Sequence, residues 1–141
     1  VGVVVAIILF VIIQLIPVER TNPPVSAEMP APPHVREILK RSCYDCHSNE
    51  TVWPWYSRVA PASWLVSRDV TEGRKELNVS EWDRYNERRR AKKMREIWKE
   101  VDKGDMPLRI YLPMHPNAKL TEKDKQALHE WVVASGAQEK P

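Results

Sequence analysis

The two cysteines of the chain are its most constraining feature. Cys43 and Cys46 are three positions apart in the run RSCYDCHSNETVWPWYS, residues 41–57, and His47 follows directly. No other cysteine occurs among the 141 residues, so both thiols belong to one site. Two cysteines at this spacing serve a structural zinc site, a redox disulfide or covalent haem attachment, and each makes different demands on the rest of the sequence.

Two of these chemistries fit the rest of the sequence poorly. A structural zinc site needs a second pair of N or S ligands, and His34, His115 and His129 are not at zinc-finger spacing. A thioredoxin-like disulfide lies between a strand and a helix of a βαβ unit, whereas the apolar pattern of this chain is helical. Zinc and a redox disulfide therefore remain only as minor alternatives.

Covalent haem attachment fits the motif itself. It needs two thiols for the two vinyl groups and a histidine directly after them, so that the imidazole can reach the iron. The run Cys43-Tyr44-Asp45-Cys46-His47 has this arrangement. We therefore predict one covalent haem c, bound by Cys43 and Cys46, with His47 as the first axial ligand.

Aromatic residues follow the motif closely. The chain has six tryptophans and only one phenylalanine, and Trp53, Trp55, Tyr56 and Trp64 come directly after the cysteines. Flat aromatic rings bury a large area against an apolar plate such as a porphyrin. We predict that these four residues form the wall of the haem pocket, with an ordinary core role as the alternative.

The second axial ligand is expected in the run GDMPLRIYLPMHPNAKLT, residues 104–121. Met106 follows a predicted helix end and precedes Pro107, while Met114 and His115 lie further along the same run. A methionine ligand raises the reduction potential relative to a second histidine. We predict Met106, with Met114 and His115 as alternatives.

The apolar spacing predicts an all-α fold without strands. Ser80 with Asp83, and Thr121 with Asp124, resemble capping boxes at helix starts, and Gly104 is placed to end a helix. We expect a cytochrome c-like helical domain around one haem. The predicted helices run from Val35 into Cys43, from Pro61 to about Glu76, from Ser80 to about Lys103 and from Thr121 to Gly136.

The N-terminal residues differ from the rest in composition. Residues 1–16, VGVVVAIILFVIIQLI, carry no charge and are slightly shorter than the roughly 20 apolar residues of a membrane-spanning helix. Because the sequence opens on Val1 rather than methionine, we expect the segment to extend further upstream. We predict an uncleaved single-pass transmembrane anchor, with a signal peptide as the alternative. A proline-rich tether, residues 17–33, then leads to a haem domain, residues 34–141.

Several runs of the sequence also resemble the bacterial haem-binding domain family of single-haem c-type cytochromes. They occur in the family's order, and the resemblance extends from about Gln14 to Ala134. The runs are TNPPV, CYDCHSNETVWPWYSRVAPASW, GRKELNVSEW, GDMPLRIY and HPNAKLT.

The resemblance implies a membrane-anchored protein that faces the periplasm and carries one covalent haem. It implies that Cys43 and Cys46 bind the haem covalently and that His47 is the proximal ligand. The pair Met106-Pro107 and the later His115 both recur in the family. The resemblance therefore favours Met106 without excluding His115.

Together these features predict an electron-transfer cytochrome at the periplasmic face of the bacterial inner membrane. No nucleophile, general base or substrate pocket is visible, so we do not expect an enzyme. The expected partners are a membrane redox complex or other electron-transfer proteins, and the lipid bilayer through the N-terminal helix, but no nucleic acid. A haem-based sensor or gas-binding domain and a structural haem subunit of a larger membrane complex are the alternatives.

A basic stretch adds one open question. Between Arg84 and Arg95 there are seven basic residues and a single acid, Glu87. Such a run is usually a solvated helix face. It would also suit pairing with haem propionates, docking on an acidic redox partner, or contact with anionic lipid headgroups.

Overall fold

The computed structural model of the chain describes residues 1–137, and every regular element in that range is a helix. The all-α prediction is therefore confirmed for these residues. The predicted haem domain, residues 34–141, extends at 138–141 beyond the described residues. The α-helices are α1 (Gly2–Ile13), α2 (Pro33–Ser42), α3 (Tyr44–His47), α4 (Ala62–Glu76), α5 (Glu87–Lys103) and α6 (Glu122–Ala134).

Local sequence signals set several helix ends as predicted. In the capping box of α6, the Thr121 hydroxyl accepts a hydrogen bond from the Asp124 amide at 3.1 Å. In return, the Asp124 carboxylate accepts one from the Thr121 amide at 2.9 Å. Gly104 ends α5 with a φ of 76°, a left-handed conformation that glycine adopts without steric cost.

The predicted start of α5 at Ser80 is wrong. The helix begins at Glu87, and Asn86 caps it by accepting a hydrogen bond from the Arg89 amide at 2.9 Å. Ser80 is buried, and its hydroxyl accepts from the Asn49 amide at 2.9 Å instead. A tertiary hydrogen bond thus takes the side chain that the sequence pattern assigned to a helix cap.

The apolar core lies mainly between α2, α5 and α6. Amphipathic faces of these helices meet there, and two tryptophans fill much of the space, which accounts for part of the high tryptophan content. α3 and α4 pack against each other beside this core. The buried core residues are Met29, Val35, Ile38, Leu39, Tyr44, Val79, Trp82, Tyr85, Met94, Val101, Leu120, Leu128, Trp131, Val132 and Ala137.

The proline-rich segment, residues 17–33, was expected to be a tether that keeps the domain away from the N-terminal helix. The structure instead shows it packed on the domain. It is extended, but it lies along the domain, and the Met29 side chain is only 1% exposed in the core. The Met29 amide donates to the Val79 carbonyl at 2.8 Å, and the Trp82 amide donates to the Ala27 carbonyl at 2.8 Å. Prolines keep the segment extended, and buried backbone groups have to find partners, so it pairs with residues 79–82.

The predicted transmembrane anchor, residues 1–16, is contradicted. Within residues 1–137, no helix combines the length and the apolar character that crossing a membrane demands. α1 has 12 residues, whereas a span of the hydrocarbon layer takes roughly 20. The single-pass location in the bacterial inner membrane, with the domain in the periplasm, depended on this anchor and is corrected with it.

Candidate functional site

One cavity gathers most of the residues that the sequence singled out. It has a volume of about 260 Å³ and lies between α3, α4 and the loop that follows α5. Its walls include Cys43, Cys46, His47, Tyr56 and Met106. Cys43 and Met106, which are 63 positions apart in the chain, therefore meet at a single site.

The motif forms one helical turn. The His47 amide donates to the Cys43 carbonyl at 2.9 Å, and the Cys46 amide donates to the same carbonyl at 3.3 Å. Residues at positions i, i+3 and i+4 of a helix share a face. This turn therefore presents both thiols and the imidazole to the cavity together.

Two backbone carbonyls hold the His47 ring. Its Nδ1 lies 2.9 Å from the Gly73 oxygen and 3.1 Å from the Leu77 oxygen, so Nδ1 carries the proton and donates. Burial lowers the pKa of His47, although these carbonyls act in the opposite direction, and the ring is therefore neutral at pH 7. The protonated Nδ1 leaves Nε2 as the nitrogen that can bind a metal.

Gly73 lets α4 approach the motif closely. A Cβ placed on Gly73 would clash with the carbonyl oxygen of Cys46, while the glycine itself fits. Because α4 can come this near, the carbonyl of Gly73 reaches the ring of His47. The glycine is thus a condition for the hydrogen bond that orients the imidazole.

Both thiols are free and protonated. Burial, reinforced by the neighbouring Cys46, raises the pKa of Cys43 to about 12. Burial together with Asp69 and Asp45 raises the pKa of Cys46 to about 12 as well. Zinc needs thiolates and additional ligands, and among residues 1–137 no group of three or more Cys, His, Asp and Glu side chains could hold a metal ion. The surroundings thus do not support a zinc site.

Three of the four predicted aromatic wall residues lie outside the cavity lining. Tyr56 is in the lining, but Trp55 is 69% exposed and Trp64 is also exposed. The Trp53 indole donates to the Asn22 side chain at 3.2 Å, away from the cavity. Trp55 and Tyr56 are neighbours in a 3₁₀ turn, where successive side chains point about 120° apart, so only one of them faces inward.

The loop after α5 contributes Met106 to the cavity, but neither of the alternative ligands. The Met106 amide donates to the Glu100 carbonyl at 3.2 Å, which ties the residue to the end of α5. Met114 is 53% exposed and is not in the lining. His115 is also absent from the lining, and its ring stacks on that of Tyr111, which is in the lining.

A polar cluster connects this loop to the motif. The Tyr111 hydroxyl donates to the Asp45 carboxylate at 2.6 Å. The Tyr111 ring stacks on the imidazole of His115, with the centroids 4.0 Å apart and the planes at 7°. Nε2 of His115 lies 2.7 Å from the Tyr56 hydroxyl. We call Asp45, Tyr56, Tyr111 and His115 the tyrosine cluster.

The sequence reasoning missed the contribution of α4 and of Tyr111. One face of α4 lines the cavity, with positions three or four apart, so a helical-wheel comparison with the motif would have identified it. The face was hard to recognise because it mixes apolar and acidic residues. Its members are Leu65, Val66, Asp69, Val70, Glu72, Gly73 and Glu76.

The basic stretch from Arg84 to Arg95 does not line the cavity. Part of it has structural partners: Arg84 pairs with Glu81 at 2.7 Å, and Lys93 pairs with Glu96 at 3.0 Å. Pairing of these residues with a ligand inside the cavity is therefore not supported.

Comparison with known proteins agrees with this geometry. The model of a family described as the haem-binding domain matches residues 8–134, which is most of the chain and includes the whole cavity lining. Searches of curated proteins and of solved structures produced no match. Since the family match spans far more than half of the sequence, the chain belongs to the haem-binding domain family.

Proposed function

We propose that this haem-binding protein is a single-haem c-type cytochrome that transfers electrons. In this proposal Cys43 and Cys46 bind the haem covalently, His47 is the proximal ligand and Met106 is the distal ligand. The observation that carries the proposal is the cavity itself, since all four side chains reach it from two separate parts of the chain.

The residues present fit a c-type haem. Two free thiols on one helical turn match the two attachment points, and His47 offers Nε2 with its other nitrogen already held. The remaining lining is largely apolar, including Leu65, Val66 and Val70, as a porphyrin plate requires. When bound, the haem would supply an iron atom that accepts and releases one electron.

The protein's own groups would set the potential. The carbonyls of Gly73 and Leu77 pull on the Nδ1 proton and make Nε2 a stronger donor. A thioether from Met106 acts in the opposite direction and raises the potential relative to a second histidine. The apolar part of the lining would also favour the less charged state of the iron.

We propose a carrier rather than an enzyme, with another electron-transfer protein as its partner. Met106 would occupy the distal side of the iron, so a small molecule would have no open position. A sensor or gas-binding domain would instead leave that position free.

The first test is attachment. The full chain is produced in cells that can attach haem c, and the purified protein is extracted with acidified acetone. We expect the pigment to remain with the polypeptide, and C43S/C46S to lose it. Colourless protein, or pigment that is extracted from the unaltered chain, would refute the proposal.

The second test is ligation. The oxidised protein should be low-spin, with the weak far-red band of a methionine–iron bond, and should show a reversible one-electron couple. M106A should lose this band, while M114A, a matched change at an exposed methionine of the same loop, should keep it. A high-spin spectrum of the unaltered protein would favour a gas-binding domain over an electron carrier.

A further inference from the structure

The distal ligand has a close competitor in the structure. His115 does not line the cavity, but it contacts two residues that do, Tyr56 and Tyr111. Only one layer of side chains therefore separates its imidazole from the cavity that Met106 enters. Imidazole and thioether both bind haem iron, and the choice changes the reduction potential. The fold must therefore determine which of the two side chains reaches the iron.

Tyr111 is that layer. Its ring lies parallel to the imidazole of His115 at 4.0 Å and also contributes to the cavity wall. The ring thus covers the face of His115 that is turned toward the cavity. The stack also stabilises the position of the imidazole, because parallel rings at this distance are in full van der Waals contact.

Asp45, a residue of the motif, holds Tyr111 in place. Its hydroxyl donates to Asp45 at 2.6 Å, and Asp45 also accepts a hydrogen bond from the Val52 amide at 2.9 Å. Hydrogen bonds to a carboxylate group are among the stronger ones in proteins. Two contacts therefore fix the ring: the carboxylate binds its hydroxyl, and the imidazole of His115 stacks on its face.

A second contact engages His115 directly. The Tyr56 hydroxyl lies 2.7 Å from Nε2 of His115. Burial and the nearby Asp45 raise the pKa of Tyr56, so the phenol keeps its proton and can donate it to this nitrogen. One of the two nitrogens with which His115 could bind iron is thereby occupied.

We propose that Tyr111 is a positioning residue that selects the distal ligand, by keeping His115 out of the cavity so that Met106 binds the iron. The inference rests on the proposed function, because it presumes a haem in the cavity. In this role Tyr111 acts through His115. Tyr56 assists by engaging the imidazole nitrogen.

The experiment compares oxidised spectra and reduction potentials of holoprotein variants. Y111L removes both the stack and the hydroxyl, and we expect it to lose the methionine band, gain a bis-histidine low-spin spectrum and fall in potential. Y111F keeps the ring and should keep the methionine band. Y111L/H115N should lose the bis-histidine spectrum again, because asparagine does not replace the imidazole as a ligand.

A matched control is H129N. His129 also packs on an aromatic ring, that of Trp98, with the centroids 4.4 Å apart and the planes tilted by 35°, but it is exposed and is not in the cavity lining. The oxidised spectrum of H129N should equal that of the unaltered protein. This control separates the release of His115 from the general effect of breaking an aromatic–histidine stack.

The outcomes distinguish this inference from the proposed function. If the unaltered protein has covalent haem and a methionine band, and Y111L keeps both, the inference is wrong while the cytochrome stands. A bis-histidine spectrum in the unaltered protein would also overturn it. Should Y111L not accumulate, Y111I, a second change that removes the ring, takes its place: a fraction of bis-histidine spectrum supports the selection, and an unchanged methionine band refutes it.

Discussion

At the scale of single residues, Gly73 shows how one absent side chain shapes the site. Glycine in a helix interior usually costs about 1 kcal/mol relative to alanine. In α4 this loss is offset, because the helix comes close enough for the Gly73 carbonyl to accept a hydrogen bond from the His47 ring. The penalty in helix propensity thus secures a fixed orientation of the imidazole.

The first prediction concerns this glycine. Gly73→Ala should destabilise the protein by roughly 1–3 kcal/mol, because the new Cβ meets the Cys46 backbone, which cannot move aside cheaply. Helix propensity alone predicts the opposite sign, a gain of about 1 kcal/mol. Urea unfolding of the purified protein measures the difference.

Gly2→Ala is the matched control, because a Cβ at Gly2 meets no atom within 4 Å. It should leave the unfolding free energy within about 0.5 kcal/mol of the original. If Gly73→Ala were as stable as Gly2→Ala, the close approach of α4 to the motif would be disproved.

The site residues also show what sequence reasoning can and cannot reach. That Cys43, Cys46 and His47 lie on one face was predictable, because it depends on spacing within five residues. Gly73 and Tyr111 were not, because their roles depend on partners far away in the chain: Tyr111 binds a carboxylate 66 positions before it. Nothing in the sequence near Tyr111 indicates that partner.

At the scale of elements, the helix ends show the same contrast between local signals, which were predicted, and distant partners, which were not. The start of α6 was predicted correctly because Thr121 and Asp124 satisfy each other within one turn. The start of α5 was not, because Ser80 has a tertiary partner in Asn49 that outcompetes the local cap. The proline-rich segment was misjudged for a related reason: composition predicts its extended backbone but not the strand-like pairing of Ala27 with residues 80–82.

The second prediction concerns the cap of α6. Burial alone would raise the pKa of Asp124, but hydrogen bonds from the Thr121 amide and hydroxyl, and from Arg41 at 2.8 Å, outweigh it and lower the pKa. A carboxyl whose folded-state pKa is depressed stabilises the fold above its unfolded value of about 4, and the contribution is lost as the pH falls through the folded value.

Asp124→Ala should therefore cost about 1 kcal/mol at pH 7. The difference from the original protein should shrink as the pH falls below about 4. Thermal unfolding across this pH range provides the measurement. Asp102→Ala, at an exposed acid on α5, should change stability by less than about 0.5 kcal/mol at any of these pH values. A pH-independent loss in Asp124→Ala would contradict the assignment.

At the scale of the whole molecule, the N-terminal residues divide into two parts with different attachments. Every residue of α1 except Ile13 is exposed, and none is fully buried. After it, the Gln14 side chain pairs with both backbone groups of Ala60, at 2.8 and 3.2 Å. Further on, Arg74 donates to the Thr21 carbonyl at 2.9 Å and to the Asn22 side chain at 3.1 Å. Side-chain contacts with the domain thus begin at Gln14.

The third prediction follows from this boundary. Removal of residues 1–13 should change the free energy of unfolding by less than about 1 kcal/mol, because no buried group is lost. Removal of residues 1–30 should lower the free energy of unfolding by about 3 kcal/mol or more. It deletes the buried Met29 and the Thr21 carbonyl that accepts a hydrogen bond from Arg74.

Met29→Ala in the full chain provides a comparison with a single change. It should reproduce part of the larger loss, roughly 2–5 kcal/mol for a fully buried methionine. Equal stability of the two truncated proteins would show that residues 14–30 do not belong to the folded unit.

The hydrogen bonds from His47 to the last turn of α4 have a further consequence. The final carbonyls of a helix ordinarily face solvent, and that end is the first part to fray. Here the Gly73 and Leu77 carbonyls are tied to the imidazole ring instead. If His47 binds the haem as proposed, loosening of these two hydrogen bonds would alter the colour of the protein while the rest of α4 stays helical. Visible absorption alone could then report on motion at one end of α4.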